Sequence, residues 1–188
     1  MAILILGLVF FFAVHCVRIV APGFRAGQVA ANQGRWKGLY SLASLVGFAL
    51  IVWGWISSRP VAPDVYVPPD WGRHVTIVLV LLAFIAIPTA YQPPGRIRTW
   101  LRHPFLAAII LWSLGHLFAN GDLASVLLFG SFLAYGIVDR IAVAFRPDPP
   151  PVYAGPRSDI VGLVVGLFLF AIFVFGLHAF LFGVSPVA

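Results

Sequence analysis

The stretch IVGLVVGLFLFAIFVFGLHAFLFG occupies residues 160–183 and contains no charged side chain. A helix needs about 20 apolar residues to cross the roughly 30 Å hydrocarbon layer of a bilayer. This stretch is long enough to do so, and a backbone surrounded by lipid must satisfy its own hydrogen bonds. We therefore predict a transmembrane helix here.

The rest of the chain repeats this pattern. Similar apolar stretches cover residues 2–21, 36–58, 72–91, 104–120 and 123–143. Of the 188 residues, 61% are hydrophobic and 10% are charged, whereas about a quarter are charged in soluble domains. The stretches lack the alternation of a β-barrel. We expect an all-α membrane protein, a bundle of about six transmembrane helices in one domain over residues 1–188. The first stretch lacks a cleavage signal, so we expect it to remain as a span.

Lysine and arginine are distributed unevenly between the connections of these stretches. Only Arg59 and Arg73 flank the second and fourth connections. The other basic residues flank the first, third and fifth: Arg18, Arg25, Arg35, Lys37, Arg96, Arg98, Arg102, Arg140, Arg146 and Arg157. The positive-inside rule then places both termini on the non-cytoplasmic side. The net charge of +6 is explained by contact with the membrane surface, and no nucleic-acid partner is expected.

The connections contain residues typical of turns, such as Pro22-Gly23 and Pro93-Pro94-Gly95. We expect them to be short. Asp122 is expected to cap the fifth helix, and Asp139 is expected to lie at the membrane interface. Gly162 and Gly166 form a GxxxG pattern, which is typical of close packing between membrane helices.

Two histidines lie inside the apolar stretches. His15 is followed by Arg18 on the same helical face, and His116 shares a face with Ser113 and Asn120. Polar side chains are costly in hydrocarbon and usually face protein, water or a cofactor. His74 and His178 lie near helix ends, where packing at the interface is the simpler interpretation.

Two neutral imidazoles on separate helices are suited to axial ligation of a haem iron. Haem needs only two protein ligands, whereas zinc commonly needs three or four. The single cysteine, Cys16, excludes a cysteine-based cluster. We therefore predict His15 and His116 as iron ligands. The alternative for each is an interhelical hydrogen bond without any ligand.

The sequence Arg102-His103-Pro104 precedes the fourth helix. Proline suits the first turn of a helix, and free backbone N–H groups there lie beside several arginines. This arrangement predicts an anion site for haem propionates, a lipid phosphate or the carboxylate of a nucleotide-like cofactor. The alternative is helix capping combined with charges that set the topology.

Four motifs in this order resemble the NnrU family of membrane proteins. They are His15 with Arg18 and residues 22–25 (PGFR), residues 34–42 (GRWKGLYSL), residues 102–104 (RHP) and residues 112–122 (WSLGHLFANGD). The likeness covers nearly the whole chain, and the last motif is the most specific. The resemblance implies a multi-pass protein of the bacterial inner membrane that is linked to nitrite and nitric oxide reduction.

A plastid branch that is similar to this family is the 15-cis-zeta-carotene isomerase, a haem b enzyme acting on a hydrophobic polyene. By motif position its haem ligands correspond to His15 and His116. That branch has a cysteine where Ser113 stands here, and serine is a much poorer iron ligand. The resemblance therefore implies haem b, with nitrogen-oxide reductase components or a polyene as partners, and leaves a redox step and an isomerase step open.

Two other functions remain as alternatives. Arg102-His103-Pro104 at the start of a helix also resembles the membrane methyltransferases that use S-adenosylmethionine, although these usually carry a pair of glutamates and this chain has no glutamate. The other alternative is a non-catalytic assembly partner of a reductase complex. Whether the chain is an enzyme stays open.

Overall fold

The computed structural model describes residues 1–146 and 148–187. Within them the secondary structure is helical, and strands are lacking apart from one isolated bridge between Asp64 and Asp122. A 3₁₀ turn covers Arg59–Val61, and a π-helical turn covers Phe173–Leu177. The α-helices are α1 (Ala2–Val20), α2 (Pro22–Ala31), α3 (Gln33–Ser58), α4 (Gly72–Thr89), α5 (Arg96–Leu101), α6 (Pro104–Ala119), α7 (Leu123–Ala144), α8 (Arg157–Ile172) and α9 (His178–Phe182).

Five helical segments are long and apolar enough to cross a membrane. They are Ala2–Val20, Pro22–Val61, Gly72–Thr89, Leu123–Ala144 and Arg157–Phe182. Large apolar side chains on them are exposed, for example Phe168 (64%) and Val164 (60%), as expected of surfaces that contact lipid. The all-helical membrane class is therefore confirmed.

The fourth predicted span is shorter than the others. Helix α6 has 16 residues, which at 1.5 Å per residue gives about 24 Å, less than the hydrocarbon thickness of roughly 30 Å. The count of six spans and the orientation of the termini therefore stay predictions.

The first connection differs from the sequence expectation. Pro22 begins a helix, α2, instead of a short turn, because the fixed φ of proline suits the first helical position and its missing N–H needs no partner there. The chain then leaves the helical conformation at Asn32, whose side chain accepts a hydrogen bond from the Arg35 N–H at 2.8 Å and caps α3. The third connection likewise contains the short helix α5.

The chain packs as two compact units, and each is described by itself. The first contains residues 1–65 and 122–131. In it, α1 packs closely on α3 because glycine lets the two backbones approach: a Cβ added at Gly7 would lie 2.7 Å from the Ile51 nitrogen. Asp122 accepts from the Ser125 N–H at 2.9 Å, which confirms the predicted cap, and it pairs with Arg59 at 3.8 Å.

The second unit contains residues 66–121 and the described residues from 132 onward. Helix α4 packs against both α6 and α8. The Thr76 hydroxyl donates to the Gly115 carbonyl of α6 at 2.6 Å. A Cβ added at Gly166 would lie 2.6 Å from the Ile85 Cα, so the GxxxG pattern lies in an intramolecular helix contact, as predicted.

Candidate functional site

His116 lies on α6 in the second unit and is partly buried. Its Nδ1 is 2.8 Å from the Trp112 carbonyl, one helical turn earlier. A carbonyl oxygen can only accept, so this contact requires the proton to be on Nδ1. In the neutral imidazole, Nε2 then carries the lone pair that can bind a metal.

The neighbouring polar side chains of α6 bond to the backbone of their own helix. Ser113 is fully buried, and its hydroxyl donates to the Ile109 carbonyl at 2.7 Å. The Asn120 amide donates to the His116 carbonyl at 2.8 Å. The polar face expected from the sequence is present. Its Ser113 and Asn120 side chains donate these hydrogen bonds to the backbone of α6 itself. A contact between Ser113 and a cofactor stays a prediction.

His15 lies on α1 in the first unit and has the same local arrangement. Its Nδ1 is 2.8 Å from the Phe11 carbonyl one turn earlier. Its ring stacks on Phe11 with a centroid distance of 4.0 Å, and the Tyr40 ring of α3 lies 5.3 Å away. Arg18 is exposed on the next turn. Nε2 is again the nitrogen with the lone pair.

The other two histidines on helices lie at helix ends. His74 is exposed near the start of α4. His178 begins α9, and its Nδ1 is 2.7 Å from the Val184 carbonyl. Throughout residues 1–146 and 148–187, no group of three or more His, Cys, Asp or Glu side chains is placed to hold a metal ion.

The Arg102-His103-Pro104 motif joins α5 to α6. Arg102 has a positive φ of 61°, the only non-glycine residue with one in the described chain. His103 has a non-helical backbone and precedes Pro104, which begins α6 as predicted. A positive φ is sterically costly for arginine, and here it accompanies the abrupt change of direction between the two helices.

Arg102 and His103 line a cavity of about 280 Å³ in the second unit. Three more arginines line it, Arg98 from α5, Arg140 from α7 and Arg146 just beyond α7. Residues 148–151, with their three prolines, form another part of the wall. Arg102 and His103 are therefore part of a larger basic cavity, and binding of an anion by residues 102–104 stays a prediction.

Asp139 is buried, with an exposure of 2%. Helix α7 continues beyond it to Ala144, and the position of Asp139 at the membrane interface stays a prediction. One carboxylate oxygen lies 3.7 Å from the Arg146 guanidinium, and the other accepts from the Tyr135 hydroxyl at 3.3 Å. The buried carboxylate is thus paired with one of the cavity arginines.

Comparison with known proteins decides the family. The family model described as NnrU protein matches residues 3–186. The chain belongs to the NnrU family. No curated protein and no solved structure matches it.

The NnrU motifs lie in both units. His15 and residues 34–42 lie in the first unit, and residues 102–104 and 112–121 lie in the second. In this NnrU protein, sequence reasoning identified Arg102 and His103 but missed Arg140 and Arg146 as parts of the same cavity. The available signal was the clustering of basic residues on alternate connections, which we interpreted only as a determinant of topology.

Proposed function

We propose that this NnrU-family membrane protein binds haem b, and that His116 of the second unit and His15 of the first are each a candidate iron ligand. The observation that carries the proposal is the arrangement shared by the two histidines. In each, Nδ1 bonds to the carbonyl four residues earlier, so that Nε2 carries the lone pair a metal needs. Histidine ligands in metalloproteins commonly have such a bond, which fixes the tautomer and makes the ligating nitrogen more basic.

The chemistry of the donor set fits haem better than a zinc ion. Two neutral imidazoles add no net charge to hydrocarbon, where an unpaired carboxylate would be costly. Bound haem supplies one-electron chemistry, and histidine ligands and the surrounding polarity adjust its potential. Aromatic rings lie beside both histidines, Phe11 at 4.0 Å and Trp112 at 5.2 Å between ring centroids.

The arrangement around Ser113 favours a redox step over ligand exchange. An isomerase of the plastid type uses a side chain at this position as an alternative ligand. Here the side chain is a serine, which is a poor iron ligand, and its hydroxyl is fully buried and donates to the Ile109 carbonyl. We therefore assign the protein to electron transfer in support of nitrite or nitric oxide reduction, in the bacterial inner membrane, with reductase components as partners rather than a polyene substrate.

An absorption spectrum of the purified protein tests this function. After expression with sufficient haem, the wild-type protein should show a Soret band that shifts on reduction. The bands of His116→Ala and His15→Ala should be lost or displaced, with partial restoration by added imidazole. His74→Ala is the control, since His74 is exposed near the start of α4, and its spectrum should equal that of the wild type. A colourless wild-type protein, or identical spectra for all variants, would refute haem binding.

The methyltransferase remains the second candidate, because Arg102 and His103 line a cavity of small-molecule size. Calorimetry separates the two functions. Heat of binding with S-adenosylmethionine, lost in His103→Ala, would support methyl transfer, and no heat discards it. A colourless preparation that co-purifies with reductase subunits would instead indicate an assembly partner.

A further inference from the structure

We infer that the basic cavity of the second unit binds the phosphate of an anionic phospholipid headgroup. Lipid binding here does not depend on haem binding at His15 or His116. Its arginines come from α5, from the turn before α6, and from α7 and its end. Arginines about 40 to 50 positions apart in the sequence therefore line a single open cavity.

The charge of the cavity lining favours a bound anion. Four arginines line it, Asp148 contributes one carboxylate, and the buried Asp139 pairs with Arg146, which leaves a net charge of about +2 with His103 neutral. Among the described residues, Arg102 and Arg140 form no ion pair with a carboxylate. Guanidinium groups held close together repel one another, and a bound anion removes this repulsion.

The other two arginines are held in place by protein groups. Arg146 pairs with the buried Asp139 at 3.7 Å. The Arg98 guanidinium donates to the Gln92 carbonyl at 2.6 Å. Because these contacts restrict both side chains, less conformational entropy is lost when a ligand binds.

The wall opposite the helices is also anchored. Residues 149–151 are consecutive prolines, which form a stiff extended segment. Beyond them, the Ala154 N–H donates to the Pro94 carbonyl at 2.8 Å. The Arg96 guanidinium lies over the Tyr153 ring at 4.6 Å, and the Asp159 carboxylate accepts from the N–H groups of α5 at Arg96 and Ile97. The cavity is therefore built from fixed elements.

Phosphate suits this lining better than carboxylate does. A guanidinium group binds either anion through two parallel hydrogen bonds. A terminal phosphate offers three oxygens and up to two negative charges, whereas a carboxylate offers two oxygens and one charge. The volume of about 280 Å³ is close to the lower limit of small-molecule sites and exceeds that of a single ion.

The surroundings of the cavity favour a lipid as the source of the phosphate. Trp100, two residues before Arg102, is 91% exposed, and Phe145, next to Arg146, is 85% exposed. Exposed aromatic residues of membrane proteins concentrate at the membrane interface, where the phospholipid phosphates lie. Basic pockets between membrane helices are a known way of binding anionic headgroups.

The test compares two double variants of the full chain in detergent. Arg102→Gln with Arg140→Gln removes two charges from the cavity. Arg25→Gln with Arg157→Gln removes two charges from exposed positions outside it. Binding of dioctanoyl phosphatidic acid, measured by calorimetry, should weaken about 100-fold in the first variant, at about tenfold for each charged hydrogen-bonding group. It should change less than threefold in the second.

Parallel measurements keep the result interpretable. Circular dichroism and gel filtration verify folding, and Arg102→Lys with Arg140→Lys, which keeps the charge, should bind with intermediate affinity. Equal losses in the two glutamine variants would overturn the site, since they would indicate diffuse attraction to the surface. Glycerol 3-phosphate or inorganic phosphate binding as tightly as phosphatidic acid would overturn the lipid source. No binding of any phosphate compound, with binding of S-adenosylmethionine instead, would overturn the proposal altogether.

Discussion

Substitution of Gly166 by alanine should separate α8 from α4. A Cβ at this position would lie 2.6 Å from the Cα of Ile85 and 2.8 Å from its nitrogen. Both are backbone atoms, so no side-chain rotation can relieve the contact. Ordinary contacts begin at 3.4 Å, and the helices must therefore move apart by at least 3.4 − 2.6 = 0.8 Å.

The magnitude follows from two opposing effects. Overpacking of this kind costs about 1–3 kcal/mol. Alanine favours the helix over glycine by up to about 1 kcal/mol. We expect Gly166→Ala to be destabilised by about 1–2 kcal/mol. The matched control is Gly130→Ala in α7, where a Cβ meets nothing within 4 Å, and this variant should be unchanged or slightly stabilised.

The stability of the two variants can be compared in detergent. Each is titrated with sodium dodecyl sulfate, and circular dichroism follows its unfolding. A lower midpoint for Gly166→Ala than for Gly130→Ala is the expected result. If Gly166→Ala proves as stable as Gly130→Ala, close backbone packing between α8 and α4 is refuted. Replacing Ile85 cannot rescue the variant, because the contact involves its backbone.

Two further substitutions test polar contacts within the second unit. Thr76→Val keeps the side-chain shape but removes the 2.6 Å hydrogen bond to Gly115. In the same titration the free energy of unfolding should fall by about 0.6–1.7 kcal/mol. No loss would mean that this bond does not stabilise the helix contact. Arg146→Gln should destabilise more than Asp139→Asn, because it leaves a carboxylate of 2% exposure without its partner, and the reverse order in thermal unfolding would contradict the pairing.

The positions of the main helices were predictable because the hydrophobic pattern that indicates them lies within each segment. Apolar stretches of about 20 residues predicted the positions of α1, α3, α4, α6, α7 and α8, since each helix satisfies its own backbone wherever it lies. The prediction was wrong for α2 and incomplete for α5. Both contain polar residues or glycine that suit either a turn or a short helix.

The positions of His15 and His116 on apolar helices were predictable in the same way, and their role as haem ligands stays a prediction. His15 and His116 are polar groups in apolar helices, and the hydrogen bond of each Nδ1 to the carbonyl four residues earlier depends only on helical geometry. The burial of Asp139 could not be predicted, because its partner Arg146 lies beyond the end of the helix.

Sequence by itself determined the class, the helices and the family motifs, because hydrophobicity and helix hydrogen bonding act over neighbouring residues. Only the tertiary structure decided which arginines share one cavity. Arg102 and Arg140 are separated by all of α6, a turn and most of α7. The two residues nevertheless line the same cavity in the folded chain. Which residues from distant parts of the chain meet depends on the path of the whole backbone, and local sequence patterns do not predict that path.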